Sequence, residues 1–287
     1  MIFFLSRMSG DPRVLFIDEY GGGPGTEAWE KMGRDLGLDK PVPIQYAVWL
    51  KKSLTGDFGI SLAQQRPVMT VLKERAPASL KLGIAAWIFG TLVGIPLGIV
   101  SAISRGTRWD YLARTFALFG QSLPTFWTGI MGILIFAGIL EWLPAGTMGE
   151  GSFSLKHLIM PAIVLGWLPA AGYLRLTRSS MLDVLESEYI KLARAKGVRY
   201  SVVIMKHAFR NALLVPLTYS GLLLIGFITG TTVAETVFSW PGLGRLAINS
   251  VEGNDFPMVA AIMFFTMLLY VTVVLFLDLV YALIDPR

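Results

Sequence analysis

The sequence predicts an all-α integral membrane protein, and three observations carry that prediction. Hydrophobic residues make up 54% of the chain and charged residues only 16%, whereas soluble domains run near about 45–50% and about 25%. Five runs reach the ~20 mostly apolar residues that a bilayer-crossing helix requires. No stretch shows the repeated short alternations of a strand array. The 287 residues have length for two soluble domains, but hydropathy favours one multi-span unit.

The runs follow in order. The first spans Ser79–Ile103, with Lys81 near its start. The second covers Phe116–Leu140, the third Leu158–Leu176, the fourth Leu213–Phe238 and the fifth Phe256–Ile284. Each holds or ends at Pro or Gly, which membrane helices tolerate. Pro96, Pro124 and Pro161 are expected to kink their helices. Gly90, Gly94 and Gly98 recur every fourth residue in the first run and so share one helix face. Small residues there permit close helix approach; lining a narrow pathway is the alternative. Gly226 and Gly230 repeat the theme in the fourth run.

Lys and Arg placement sets the orientation. Arg105, Arg108 and Arg114 lie between the first two runs, against Asp110. Residues 175–210 hold Arg175, Arg178, Lys191, Arg194, Lys196, Arg199, Lys206 and Arg210, against Asp183, Glu186 and Glu188. The intervening loops are near neutral or acidic. The basic segments are therefore expected to be cytoplasmic, with the C-terminus on the same side. Residues 7–78 then lie outside and need an exporting segment ahead of them. Met1–Leu5 is too short for a span or a signal core. A sixth span upstream of Met1 is expected, with 1–6 as its remnant; the alternative is a tail exported without a leading helix.

Residues 7–78 read as a small external helical domain. Gly21–Gly25 is a break, Thr26–Leu38 and Pro41–Leu54 have helical composition, and Gly56-Asp57-Phe58-Gly59 is a turn. Residues 79–287 form the expected five-helix core.

The segment between the third and fourth runs is about 35 residues, far beyond the usual connection. Glu188–Lys196 is helical by propensity. Glu188 stands at its start and Arg194 and Lys196 at its end, as the macrodipole favours. Gly197 is a natural stop, and Ser201 is expected to cap a second helix over Val202–Arg210. A charged helix–Gly–helix joined to two spans can transmit force from a cytoplasmic partner. The alternative is a basic surface that meets anionic membrane lipid.

Composition excludes much else. Cysteine is absent and histidine occurs only at His157 and His207, which excludes Cys-ligated and multi-His metal sites and leaves a His-based triad almost without material; no metal site and no catalytic residue is expected in this chain. No phosphate-binding G-x-x-x-x-G-K-[ST] run exists. Gly242–Ala247 matches G-x-G-x-x-[GA] but follows Trp-Pro rather than a strand, and is read as a decoy. Glu235 and Asp278 lie toward run ends, where intramembrane charge is less costly. Glu235 pairs with Arg245 or steadies the loop in one reading, and contacts cargo or a gate in the other. Asp278 is read as an anchor, and His207 as an interface or capping residue.

Tyr189–Val198 (Y-I-K-L-A-R-A-K-G-V) with His207–Pro216 (H-A-F-R-N-A-L-L-V-P) resembles the EAA-loop region of ABC importer permeases. The likeness is narrower to the dipeptide, oligopeptide and nickel type. Arg7–Pro12, Leu36–Pro41, Gly56–Ser61, Ser122–Trp127, Trp142–Gly146 and above all Glu235–Leu246 resemble that type's motifs in order. Of the generic EAA pattern only Ala193 and Gly197 match.

The resemblance implies a type I ABC importer permease fold in the cell (inner or plasma) membrane. It implies an inner-membrane component of a binding-protein-dependent transport system, forming half of a pathway for peptides. Two ATP-binding subunits, a second homologous permease and an external substrate-binding protein would be its partners. ATP and Mg would sit on those partners, with no cofactor in this chain and no nucleic acid. It places ATPase coupling in residues 177–212, at Glu188, Tyr189, Ala193, Arg194, Ala195, Lys196, Gly197, His207, Arg210 and Asn211. It places an external hairpin at the pathway mouth, at Glu235, Trp240, Pro241, Gly242, Gly244 and Arg245. Nickel or another small solute is the alternative cargo. A stand-alone secondary transporter or channel is the different-class alternative, though no internal repeat or mid-span charge supports it. An intramembrane enzyme lacks paired ligands or a nucleophile–base set.

Overall fold

A computed structural model describes residues 25–35, 38–149 and 154–284. Met1–Pro12, Gly21–Pro24, Leu36-Gly37, Asp285–Arg287 and the side chain of Asp278, all named above, lie outside the described residues. Among the described residues the regular structure is helical, with an isolated bridge between Ile60 and Pro67. The helices in chain order are α1 (Glu27–Asp35), α2 (Val42–Leu54), α3 (Val68–Ile103), α4 (Arg108–Ser122), α5 (Thr125–Gly132), α6 (Leu155–Leu185) and α7 (Glu188–Ala195). There follow α8, opening at Tyr200–Val202, then α9 (Leu214–Gly230), α10 (Thr232–Val237), α11 (Leu243–Glu252) and α12 (Phe256–Ile284).

The chain divides into two compact units. One takes Met1–Ala76 and Leu246–Leu268, the other Pro77–Arg245 and Leu269–Arg287. In the first unit the turn at 56–59 has Gly56 and Gly59 at φ +84° and +80°, values that L side chains avoid. Asp57 Oδ1 accepts the Gly59 N–H at 3.0 Å. Asp255 caps α12 by accepting the Met258 N–H (3.2 Å). Its other oxygen takes the Ser61 hydroxyl and the Ala63 N–H. Phe58 and Phe264 pack at 5.6 Å between ring centroids.

Among the described residues three helices are long and apolar enough to cross a bilayer: Val68–Ile103, Leu155–Leu185 and Phe256–Phe276. The other two expected spans are broken. The second run divides into α4 and α5, bent by 106°. Leu123 precedes Pro124 and is extended (φ −92°, ψ 128°), the conformation proline imposes on its predecessor. Pro124 thus breaks the run rather than kinking it. After α5 the chain widens into a π-helix over Ile133–Ile139. The fourth run ends its long helix at Gly230, and α10 follows after Thr231. The third run exceeds its expected length, continuing from Leu176 to Leu185.

The second unit is built on α6. Gly90, Gly94 and Gly98 of α3 all face it. A Cβ on Gly94 would come within 2.6 Å of the Tyr173 Cβ, and one on Gly98 within 2.7 Å of the Thr177 Cβ. A Cβ on Gly90 would meet Pro169 at 3.3 Å, and one on Gly166, from the α6 side, the Ala86 carbonyl at 2.6 Å. Two small-residue faces thus let the backbones touch, the packing that bilayers favour where apolar burial gives no drive. On another side of α6, Ala113, Ala117 and Gly120 of α4 lie against Ala171, Leu174 and Trp167.

Candidate functional site

The segment after α6 is a rigid object with one buried and one open face. Glu186 and Ser187 turn the chain into α7. Gly197 ends it at φ +74°. The Gly197 N–H bonds the Arg194 carbonyl (3.0 Å) and the Val198 N–H the Ala193 carbonyl (3.3 Å). These are the paired closing bonds of a Schellman stop. No atom lies within 4 Å of a Cβ placed on Gly197, so backbone conformation alone selects glycine. Gly197→Ala is expected to destabilise this end by about 1 kcal/mol, and Gly197→Asn by less, because Asn tolerates the left-handed region. Thermal unfolding in mild detergent checks the order of the two.

The second helix starts earlier than its sequence suggests. Arg199 precedes its first turn without a side-chain cap, and Ser201 lies inside that turn. From Val203 to Phe209 it is π-helical, then α-helical over Arg210–Ala212. Ile190 of α7 and Val203, Ile204, Ala208 and Ala212 of α8 are buried with Met181 and Ala102. Ala193, Val198 and Phe209 pack at the edge of this cluster. Asn211 ties the helices, its amide donating to the Tyr189 hydroxyl (3.1 Å) and to the His207 carbonyl (2.7 Å).

The residues marked for coupling lie mostly on the opposite face. Glu188, Tyr189, Arg194, Ala195, Lys196, Gly197, Arg210 and Asn211 are exposed, and Ala193 and His207 half-buried. Lys191 pairs with Glu188 at 2.8 Å. Leu192, Tyr200 and Met205, which the motif match passed over, are also exposed, at 56%, 58% and 55%. Their apolar character, against a helix whose inner face is already filled by Ile190, was the available signal.

The 235–245 segment is organised by one carboxylate. Glu235 is fully buried. Its Oε1 accepts the hydroxyls of Ser79 (2.6 Å) and Thr231 (2.9 Å), and its Oε2 the Arg245 backbone N–H (2.9 Å). The expected Glu235–Arg245 pairing therefore runs through the main chain. The Arg245 guanidinium instead donates to the Ser239 carbonyl at 2.9 Å. The Leu243 N–H donates to Ser79 Oγ (2.7 Å), so Ser79 and Glu235 together satisfy the opening amides of α11. A Cβ on Gly242 would strike the Glu235 carboxylate, and one on Gly244 the Thr232 Oγ1 at 2.5 Å. The two glycines of the G-x-G pattern thus admit an internal carboxylate to a helix start. Trp240, also buried, donates its indole N–H to the Ala78 carbonyl (2.9 Å), and Pro241 follows it into the turn.

The 142–146 motif meets the same segment. The Thr147 N–H bonds the Phe238 carbonyl (2.8 Å), and a Cβ on Gly146 would collide with that carbonyl. Two motifs almost a hundred residues apart are one structure.

One cluster escaped the sequence reading. Asp110, in the first turn of α4, is 2% exposed. Arg178 of α6 donates to both its oxygens, from Nε at 2.9 Å and Nη2 at 3.0 Å. Ser101 Oγ (2.6 Å) and the Gly106 N–H (3.1 Å) complete it. Among the described residues no group of three or more His, Asp or Glu is placed to hold a metal.

Residues 94–287 match the family described as "Binding-protein-dependent transport system inner membrane component". The dipeptide transport system permease protein DppB of Alkalihalophilus pseudofirmus is 40% identical, over 97% of this chain and 90% of that protein. DppB of Escherichia coli K12 is 37% identical, over 99% and 91%. The oligopeptide transport system permease protein AppB of Bacillus subtilis is 37% identical, over 97% and 89%. Among solved structures, inward-facing MetNI methionine ABC transporter aligns at a TM-score of 0.63 and 15% identity, over 76% of this chain and 97% of that one. An amino acid ABC transporter aligns at 0.57 and 17%, over 73% and 92%. At such identities the likeness is one of fold.

Proposed function

The chain belongs to the family of binding-protein-dependent transport system inner membrane components, and we propose that it is the permease that moves dipeptides or oligopeptides through the membrane. It is a multi-pass membrane protein and a transport subunit of an ABC importer. ATP hydrolysis falls to separate ATPase subunits beneath α7 and α8, a second permease completes the pathway, and an external binding protein supplies cargo. Residues 188–211 face the cytoplasm, as does the C-terminus.

The observation that carries the coupling role is the two-faced α7–α8 element. A partner ATPase can drive the permease only through contacts that differ between two states. Those contacts need a surface that does not yield. Ile190, Val203, Ile204 and Ala208 fix the element to Met181 near the end of α6 and to Ala102 near the end of α3. Tyr189, Leu192, Tyr200 and Met205 project from its open side among Arg194, Lys196 and Lys206. Displacing that surface displaces the helices that hold it.

Purification of the chain from its own membranes in mild detergent is expected to bring down a second permease and P-loop ATPases. Leu192→Asp is expected to leave insertion unchanged, since the side chain is exposed, and to reduce ATPase recovery and ATP-driven dipeptide uptake at least tenfold. Uptake by Leu192→Asp at the wild-type rate would reject the coupling assignment.

A further inference from the structure

We propose that Arg175 is an anion-binding point of the translocation pathway and takes the carboxylate of the peptide in transit. This deepens the peptide-import reading and rests on it.

Helix α6 exposes Leu155, Ile159, Ile163 and Leu168 along its apolar length. Arg175 then breaks the pattern, exposed and ten residues before the helix ends. Arg178, one turn on, has an opposite environment: half-buried and held by both oxygens of Asp110. Arg175 Nη1 donates to a neutral amide oxygen, Gln121 Oε1, at 3.1 Å. Among the described residues no carboxylate stands within ion-pair distance of it. A cation in an apolar helix without a counter-charge is costly and marks function. One amide engages one of its five N–H donors, leaving a planar fork of the geometry that grips a carboxylate.

The direction of the side chain separates cargo from lipid. An arginine that serves only the membrane surface extends toward the nearer interface. The nearer end of α6 is Leu185, where the helix leads into α7. Gln121 lies the other way. Its neighbour Gly120 abuts Trp167 and Ala171, the turns of α6 before Arg175. The guanidinium therefore reaches back along α6, deeper into the span. Tyr219 of α9 lies over Gly172, on the same stretch of α6, its ring edge-on to Tyr173 at 5.1 Å. Trp87 of α3 fixes α9 there by donating to Ser220 Oγ at 2.9 Å. Helices α4, α6 and α9 thus bring an amide, a guanidinium and a phenol to one stretch of α6. Every linear peptide keeps a C-terminal carboxylate whatever its side chains, so one arginine at this point serves cargo of any sequence.

The test uses the complete transporter reconstituted with its binding protein in vesicles of phosphatidylcholine alone or with phosphatidylglycerol. Uptake of dialanine and of its C-terminal amide is compared for wild type, Arg175→Gln and Arg175→Lys, beside binding-protein-stimulated ATP hydrolysis. Arg175→Gln is expected to slow dialanine uptake on the order of tenfold, the worth of a charge-assisted hydrogen bond. Its uptake of the amide should match wild type, ATP hydrolysis should persist, and Arg175→Lys should restore part of the rate. Equal loss for both cargos, loss of stimulated hydrolysis, or wild-type uptake by Arg175→Gln would each overturn the proposal. A defect confined to vesicles with phosphatidylglycerol would overturn it in favour of a lipid headgroup. Absence of ATP-driven dialanine uptake by the wild-type complex would instead reject the import reading on which it rests.

Discussion

Replacing Glu235 with alanine is expected to abolish recovery of folded protein. The carboxylate is fully buried and accepts from Ser79, Thr231 and the Arg245 N–H. Truncation leaves three donors without an acceptor in a site closed to water. Each orphaned group costs about 1–3 kcal/mol, so the loss is on the order of 5 kcal/mol, comparable with the whole stability of many domains. Glu235→Gln keeps the volume but offers one acceptor oxygen where the carboxylate has two, and turns a donor toward a donor. It should fall between alanine and wild type. Size-exclusion recovery and thermal unfolding in mild detergent measure both variants. An alanine variant that melts within a few degrees of wild type would show that the buried carboxylate is dispensable.

Asp110→Ala is expected to be nearly as damaging, by a different route. It strands the Arg178 guanidinium, 23% exposed, beside Ser101 without its counter-charge. Breaking a buried ion pair from one side costs about 3–5 kcal/mol, whereas replacing both members with apolar residues is often neutral. Asp110→Leu combined with Arg178→Met should therefore recover most of the lost melting temperature. If the double variant melts as low as Asp110→Ala, the harm comes from lost packing rather than from a stranded charge.

These two sites mark where the sequence was readable and where it was not. The long helices α3, α6 and α12 were legible because hydropathy over twenty residues is a local sum. The stop at Gly197 was legible because a Schellman closure is completed within six residues. The break at Leu123–Pro124 was foreseen only as a kink. Its apolar composition runs on unchanged across Pro124, and hydropathy does not see direction. Helix α6 was cut short at Leu176 because Arg175 and Arg178 look like the start of a loop. The charge that allows Arg178 to lie inside a helix comes from Asp110, 68 residues away. Ser201 looked like a cap, but the Gly197 turn delivers the chain into helix before reaching it. The Glu235–Arg245 link was anticipated as a pair of charges. A ten-residue spacing does not distinguish a guanidinium from a backbone N–H.

The closure around Glu235 also sets a schedule for biogenesis. Ser79 and Glu235 are 156 residues apart in the chain, and Arg245 follows later still. At about 5–20 residues per second of synthesis, roughly 10–30 s separate the emergence of Ser79 from that of its acceptor. Through that interval the Ser79 hydroxyl lacks its native acceptor, and the Ala78 carbonyl, already bonded within α3, lacks the second donor that the Trp240 indole supplies later. Synthesis must pass residue 245 before α3 can be locked. A nascent chain arrested before residue 245 is therefore a substrate for quality control rather than a partly working permease.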